Sequence, residues 1–340
     1  MGDKHRVRFE PVGIEIEADE EETVLDAAFR QGVMLMHGCK EGQCSSCKSF
    51  LLDGDQQMER YSTFALADYE HEEGYLLLCR AHAYSDLSVE LINYDEEMLL
   101  SGIPPRQVST TVTAVEPLTH DIARLTLALD ADGELPYRTG QYVDIQVPGT
   151  EQWRSFSMAS LPGDGLEFLI KRYPGGLFSG LLDGLRLPVG APLTVKGPYG
   201  TCVLREAPER DLILLAGGAG MAPILAQLRA LAAAGSGRRT RFYYGARGAA
   251  DLFALDEIAR LGAALSDFAF VPALSEESSQ SYEQGFVTEV LDRHEGDLSG
   301  SDAYLCGPPP MCDAALAVLT GKGMPQERIF LDRFTTSTDI

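Results

Sequence analysis

Four cysteines constrain this chain more than any other feature. Cys39, Cys44 and Cys47 form a C-x4-C-x2-C run within His37-Gly-Cys-Lys-Glu-Gly-Gln-Cys-Ser-Ser-Cys-Lys48, and Cys79 follows in Leu-Leu-Leu-Cys-Arg. With its distant fourth member, this is the spacing of a [2Fe–2S] ligand set. Bringing four thiolates to two irons requires a backbone that wraps closely around them. Gly42, Ser45 and Ser46 are small enough to allow that approach and to let amide N–H groups face the sulfurs. Cys44-x2-Cys47 alone would also suit zinc or a thioredoxin-like redox pair. A zinc ribbon would show a second Cys-x2-Cys, and none follows; a redox pair would need neither Cys39 nor Cys79. Structural or disulfide-bonded cysteines complete the alternatives.

A chain of 340 residues has room for two or three domains. Seven cysteines, an odd number, argue against a fully paired disulfide framework. The first residues carry charges (Asp3, Lys4, Arg6, Arg8, Glu10) in place of a secretory signal, so a cytoplasmic protein is expected. A formal net charge of −23 argues against nonspecific nucleic-acid binding, because phosphates would be repelled. The charge is uneven: residues 1–100 hold 8 Lys+Arg against 22 Asp+Glu. Such a surface either simply solubilises the chain or docks it electrostatically onto a basic partner. The longest apolar run, Leu212 to Leu228, is interrupted by Gly217, Gly218, Gly220 and Pro223, and reads as strand, turn and helix, not as a membrane span.

Residues 6–17 alternate in polarity around Pro11–Gly13 and predict a β-hairpin. Glu20 to Arg30 predicts a helix with Thr23 as a plausible cap. Strands are expected at Lys48–Leu52, Tyr75–Cys79 and Leu87–Ile92. Through Cys39-Lys-Glu-Gly-Gln-Cys44-Ser-Ser-Cys47 and Cys79, this stretch resembles the ferredoxins, which implies a β-grasp domain over residues 1–98. Residues 99–107, with Gly102 and Pro104-Pro105, read as a short semi-rigid linker.

Strand signals resume at Ser109–Glu116, Ile122–Leu129 and Tyr142–Val147, with turns at Asp132-Gly133 and Pro148-Gly149, and predict a small barrel or sandwich. Arg154-Ser-Phe-Ser157 and Lys171-Arg-Tyr-Pro-Gly-Gly-Leu-Phe-Ser179 follow. The second has the form of a glycine turn that delivers N–H groups and a helix N-terminus to a phosphate. Together they resemble the flavin domain of the ferredoxin–NADP reductase superfamily, whose motif is Arg-x-Tyr-Ser; here Phe156 replaces the tyrosine. The resemblance implies a six-stranded antiparallel barrel over 108–207 that binds FAD. By it, Arg154 lies on the pyrophosphate, Phe156 against the isoalloxazine and Ser157 near N5, with Ser155 also in the FAD-binding set. Leu169, Ile170 and Lys171 border the flavin, with Gly176, Leu177, Phe178 and Ser179 by the pyrophosphate.

From Arg210 the pattern changes. Leu212–Ala216 reads as a strand buried on both faces, and Gly217-Gly-Ala-Gly-Met-Ala-Pro223 leads into a helix. Gly218 and Gly220 match the first two glycines of a dinucleotide fingerprint, and Pro223 suits a first helical turn. Strands at 241–245, 269–274 and 303–306 alternate with helices at 251–258 and from 286, predicting a doubly wound α/β domain over 208–340. Three special stretches end strands: Gly217 to Pro223 with Met221, Gly245 to Arg247, and Cys306-Gly307-Pro308-Pro-Pro-Met311. The last resembles the Cys-Gly-Pro-Pro-x-Met motif of the same superfamily, which implies Cys306 beside the nicotinamide C4. Phe334, in a terminal strand that reads as a sheet edge, is by resemblance the aromatic that covers the flavin until nicotinamide displaces it. The resemblance thus makes Ser157, Cys306 and Phe334 the catalytic candidates. Residues 336–340 are expected to be disordered. Arg247 could meet a 2′-phosphate, whereas Asp251 nearby disfavours one.

The order of the three domains resembles the reductase component of bacterial soluble diiron monooxygenases, in particular the propane and small-alkane members. The resemblance implies NADH as donor, FAD and one [2Fe–2S] cluster as cofactors, and a diiron hydroxylase as partner, with or without a coupling protein. A monomer without membrane or nucleic-acid contacts is expected. The order of carriers has a physical logic, since a hydride carries two electrons, a [2Fe–2S] cluster takes one, and a flavin can stand between them. A reductase for a Rieske dioxygenase and an electron-transfer subunit of a larger flavoenzyme are the alternatives. A redox-sensing module with an inert nicotinamide site is a third.

Overall fold

The computed structural model describes residues 2–100, 102–131, 133–183 and 186–334. The expectations for Asp132 and for residues 336–340 fall outside them. The chain divides after Pro105 into two compact units.

In the first unit, β1 (Lys4–Glu10) and β2 (Ile14–Asp19) form the hairpin, with Gly13 supplying the left-handed turn residue at φ +68. Helix α1 (Val24–Arg30) starts four residues later than its pattern suggests. Thr23 sets the start: its Oγ1 accepts the Asp26 N–H at 3.1 Å, which leaves Glu20–Glu22 outside the helix. The unit continues with β3 (Lys48–Asp53), β4 (Gln56–Met58), α2 (Asp68–Glu72), β5 (Tyr75–Leu77), β6 (Ala81–Ala83), β7 (Leu87–Glu90) and α3 (Glu96–Leu99). The sheet order is β2-β1-β7-β3-β5, with β1 and β7 parallel, and β4 pairs with β6 separately. Val7, Phe9, Ile16 and Ala18 point inward from alternate positions, and Val24, Leu25, Ala28 and Phe29 of α1 are buried with them. This is the expected β-grasp arrangement.

The second unit opens with β8 (Arg106–Pro117), β9 (Ile122–Leu129), β10 (Tyr142–Gln146), β11 (Trp153–Ser157), β12 (Leu166–Lys171) and β13 (Pro192–Tyr199). Regular structure therefore reaches further into residues 99–107 than their composition suggests, since Leu99 ends α3 and β8 begins at Arg106. The six strands are antiparallel in the order β11-β10-β13-β8-β9-β12. A bridge between Met158 and Phe168 joins the two ends of that order and closes the barrel.

The parallel sheet comprises β14 (Asp211–Gly217), β15 (Thr240–Ala246), β16 (Phe268–Leu274), β17 (Glu283–Gln284), β18 (Ser301–Gly307) and β19 (Ile329–Arg333), in the order β17-β16-β15-β14-β18-β19. Helices α4 (Met221–Ala233), α5 (Leu255–Ala263), α6 (Val287–His294) and α7 (Pro309–Gly321) cover it. Strand β14 shows why both faces need covering. Leu212, Leu214 and Ala216 pack with residues of α4 and α5, while Ile213 and Leu215 pack with residues of α6 and α7. The strand order reverses between β14 and β18, which makes their carboxyl ends the topological switch point. Helix α5 begins at Leu255, not at Asp251 as its sequence pattern predicts, because Ala254 takes a left-handed φ of +58 and separates it from a short 3-10 turn, Ala249–Asp251. Among the described residues no helix is long and apolar enough to cross a membrane.

Barrel and parallel sheet share one core cluster, in which Ile122, Ala159, Leu169 and Cys202 join residues of α4. Arg229 of α4 reinforces this packing. Its Nη1 donates to the Ala159 carbonyl at 2.8 Å, and its Nη2 lies 3.1 Å from Glu167 and 2.6 Å from Glu257. Burial works against the Arg229 charge, and the two carboxylates more than compensate, raising its pKa.

Candidate cluster, flavin and nicotinamide sites

The loop between α1 and β3 turns tightly because Lys40, Gly42 and Ser45 all adopt positive φ, at 58, 71 and 60 degrees. Gly42 has no alternative: a Cβ there would stand 2.8 Å from Tyr61 Cβ and 3.0 Å from Arg80 Cγ. The turns aim backbone donors at sulfur. The Cys39 N–H reaches Cys44 Sγ at 3.2 Å, and those of Glu41 and Gln43 reach Cys39 Sγ at 3.4 and 3.2 Å. Gly42 donates to the Cys79 thiol. Ser46 Oγ sits 3.3 Å from Cys44 Sγ.

Cys79 occupies a turn just after β5, closed by the Arg80 N–H to the Leu77 carbonyl at 2.8 Å, and is not part of the predicted strand. From this turn its thiol meets that of Cys47, while Cys39 meets Cys44. Within the first pair, the hydrogen bond from Cys39 pulls Cys44 down to about 5, and the same contact together with burial pushes Cys39 up. Cys79 is raised by its contact with Cys47 and by burial. Two thiol pairs with N–H donors directed at them, and no other ligand type among them, fit a [2Fe–2S] centre. The Lys48 Nζ lies 2.8 Å from both Glu70 carboxylate oxygens, which holds Glu70 below the usual carboxylate range.

Ser46→Ala is expected to make the cluster potential more negative, because Ser46 Oγ, 3.3 Å from Cys44 Sγ, would donate its hydroxyl to that sulfur as a thiolate and favour its charged form. A redox titration of the visible absorbance measures this, and an unchanged or more positive midpoint would contradict it.

At the barrel, β11, at one end of the strand order beside the closing bridge, carries the Arg154–Ser157 motif. The Arg154 guanidinium is held by the Trp153 carbonyl at 2.8 Å and the Gln152 side chain at 2.9 Å. Ser155 is exposed and donates to Asp144 at 2.7 Å. The half-buried Phe156 ring lies 5.0 Å from that of Phe178, which is itself part of the barrel core. Two residues expected at the flavin are spent on packing. Leu169 points out of the barrel into the core shared with α4, and Ile170 points into the barrel itself. Lys171 keeps its charged end accessible, 3.4 Å from Asp121.

The glycine turn is present, with Gly175 at φ +75 and a hydrogen bond from Gly180 N–H to the Gly176 carbonyl at 2.8 Å. A Cβ on Gly176 would run into Ser179 Oγ, so the turn offers backbone rather than side chain. The helix expected after it is only a 3-10 turn, Ser179–Leu182. So few aligned peptides sum to little dipole, and any hold on phosphate here falls to individual N–H groups and nearby cations. That donor set is compatible with a flavin pyrophosphate.

At the switch point, Gly218 takes φ +58 and Gly218–Gly220 forms a 3-10 turn leading into α4. Gly220 faces the Cys306 carbonyl so closely that a Cβ would overlap it, and a Cβ on Gly217 would stand 2.8 Å from Met311 Sδ. Met221 and Pro223 are buried in the first turn of α4. Gly245 packs on Val287 at the end of β15, and Arg247 follows, half exposed. Cys306 is fully buried, its Sγ 3.8 Å from that of Cys202, and burial pushes its thiol pKa up. Gly307 accepts the Phe334 N–H at 2.8 Å, which ties the end of β19 to the cysteine strand, with Pro308 capping α7.

Asp332 was not flagged by any sequence motif. It pairs in register with Cys306 and lies 3.5 Å from Ser157 Oγ. A barrel serine, a sheet cysteine and this carboxylate thus meet at one point, which only the packing of barrel on sheet reveals.

Three family descriptions match in the same order: 2Fe-2S iron-sulfur cluster binding domain over residues 7–84, oxidoreductase FAD-binding domain over 109–204 and oxidoreductase NAD-binding domain over 214–316. The reductase component of propane 2-monooxygenase from Mycolicibacterium goodii is 52% identical over 344 residues, covering 99% of each chain. The chain belongs to the family of monooxygenase reductase components. Its more distant relatives include the reductase component of phenol 2-monooxygenase from Pseudomonas sp. (strain CF600), 35% identical over 98% of this chain and 96% of that one. Among solved structures, a cytochrome P450 reductase from Amycolatopsis superposes with a TM-score of 0.87 at 30% identity, covering 98% of this reductase and 99% of that chain. The protein is thus an NADH-dependent oxidoreductase with FAD-, NAD- and [2Fe–2S]-binding domains, as its family resemblance implies.

Proposed function

We propose that this reductase passes electrons from NADH to the diiron hydroxylase of a soluble monooxygenase acting on propane or a similarly small alkane. The observation that carries this reading is likeness to a propane 2-monooxygenase reductase component along the whole chain. The bound flavin would supply the exchange between a two-electron donor and a one-electron carrier. The chain's own residues supply position. Cys39, Cys44, Cys47 and Cys79 would hold the cluster. Arg154, Phe156, Ser157, Lys171 and the 176–179 turn would hold FAD, and Gly217–Pro223, Gly245–Arg247 and Cys306–Pro308 would hold NADH.

Ser157, Cys306 and Phe334 are the residues we assign to the hydride-transfer face, and Asp332 joins them. Phe334, whose N–H is tied to the Gly307 carbonyl, would shield that face until nicotinamide enters. The domain limits that go with this reading are 1–98, 108–207 and 208–340, joined by 99–107. The acidic first hundred residues suit a basic docking face on the hydroxylase. A cytoplasmic monomer is the form in which we expect it to work.

The test is reconstitution with purified hydroxylases, with and without a coupling protein. NADH consumption is expected to couple to product with a small-alkane hydroxylase. Coupling only to a Rieske dioxygenase would overturn the assignment.

A further inference from the structure

The end of β15 is where the second strand of a dinucleotide fold meets the adenosine ribose, and there a 2′-phosphate is either accepted or refused. Accepting one requires unoccupied cationic or N–H donors for a group of nearly two negative charges. In this chain carboxylates from three different elements gather at that strand end, on Arg247 Nη2 and on the Gly248 and Ala249 N–H groups.

Asp251, on the adjoining 3-10 turn, accepts the Gly248 N–H at 3.0 Å and lies 3.6 Å from the Arg247 guanidinium. Glu277 comes from the loop after β16. Its Oε2 accepts the Ala249 N–H at 2.8 Å, and a Cβ on Gly248 would stand 2.6 Å from the same oxygen. Asp121 comes from the barrel turn before β9. Its Oδ2 lies 3.4 Å from Arg247 Nη2, and its Oδ1 is oriented by the Thr119 hydroxyl at 3.1 Å. His120 Nε2 stands 3.2 Å from the same guanidinium nitrogen. Arg247 is therefore held through Nη2 between Asp121 and Asp251, and Lys171, the next cation, is engaged by the same Asp121 oxygen at 3.4 Å.

We propose that Asp121 and Glu277, acting with Asp251, make this strand end refuse a 2′-phosphate and so set the preference for NADH over NADPH. Neither residue belongs to a nucleotide motif, and neither is near Arg247 in sequence. A ribose 2′-hydroxyl loses nothing at such a surface, since it is uncharged and can donate to a carboxylate. A 2′-phosphate would meet the negative charge of Asp121, Asp251 and Glu277 at that strand end, and would have to displace Glu277 to reach the Ala249 N–H. The proposal rests on the reading of residues 245–247 as part of the nucleotide site.

Asp121→Asn, Glu277→Gln, the double variant and, as an independent control of the site, Arg247→Ala are compared in the full chain loaded with flavin and cluster. Ferricyanide reduction with each donor gives kcat/KM, and calorimetry gives NAD+ and NADP+ affinity without turnover. In the double variant the NADPH-to-NADH ratio of kcat/KM is expected to rise about tenfold, carried by KM, with NADP+ binding tightening in parallel. An unchanged ratio in the double variant, while Arg247→Ala raises KM for NADH, overturns the role of the two carboxylates alone. If Arg247→Ala alters neither donor's KM nor either affinity, the nucleotide-site reading fails and the proposal with it. Because Asp121 also touches Lys171, flavin content is measured for each variant. Should the double variant lose flavin, Glu277→Lys carries the test: a rise in the ratio supports the proposal, and no rise overturns it.

Discussion

Cys79→Ser is expected to abolish the visible absorption of the iron–sulfur centre and to leave flavin reduction by NADH in place. A serine hydroxyl is a harder donor than a thiolate and far more reluctant to lose its proton, so it is a poor substitute on iron. The turn that carries Cys79 leaves little freedom to compensate. It is closed by the Leu77–Arg80 hydrogen bond and backed by Gly42, whose own N–H is aimed at the Cys79 sulfur. The residues we assign to flavin and nicotinamide lie in the other compact unit, after Pro105, so their structure is not expected to depend on this ligand. Cytochrome c reduction should fall to near background while ferricyanide reduction persists. An unchanged visible spectrum, or equal loss of both activities, would remove Cys79 from the ligand set.

The second large effect is expected from Gly220→Ala. The backbone at Gly220 is ordinary right-handed helical, with φ near −58, so alanine carries no conformational strain there. What it meets is the carbonyl of Cys306 on the neighbouring central strand, backbone that no rotamer change can move aside. Relief requires α4 to separate from β18 at the switch point. Overpacking of this kind costs about 3 kcal/mol. The start of α4 and the Cys306–Pro308 segment would both shift, so NADH affinity should fall by at least about tenfold, since misplaced binding groups lose their contacts steeply. FAD retention by the barrel should be affected much less. Thermal unfolding and an NADH titration check this, and a variant with native Tm and native NADH affinity would show that the approach to Cys306 is not limiting.

The glycine at 220 also marks the limit of reading function from sequence. Its place in Gly-x-Gly after an apolar strand pointed to the nucleotide crevice. In the structure, the direct reason a side chain cannot be tolerated there is the strand beside it, which arrives from more than eighty residues away. Ser179 teaches a related lesson. The glycine turn before it is as expected, but the following segment closes after one 3-10 turn, because Asp183 is already extended, with ψ 128. Leu169 and Ile170 illustrate the third kind of difference. A strand alternates its faces, and in a barrel packed on a helix both faces here are consumed, one by the barrel core and one by α4.

The sequence by itself determined that a cluster-binding domain leads the chain, the order of the three domains and the alternation of strand and helix that makes the last of them doubly wound. These are local properties: cysteine spacing, period-two polarity and glycine punctuation each act within a few residues. Only the tertiary structure decided which distant groups meet. It brought Cys79 to Cys47 on a turn, Asp332 to Ser157 and Cys306, and Asp121 with Glu277 to the donors around Arg247. Those meetings depend on sheet order and on barrel-against-sheet packing, in which residues far apart along the chain become neighbours. No short-range pattern encodes which carboxylate will stand beside which cation.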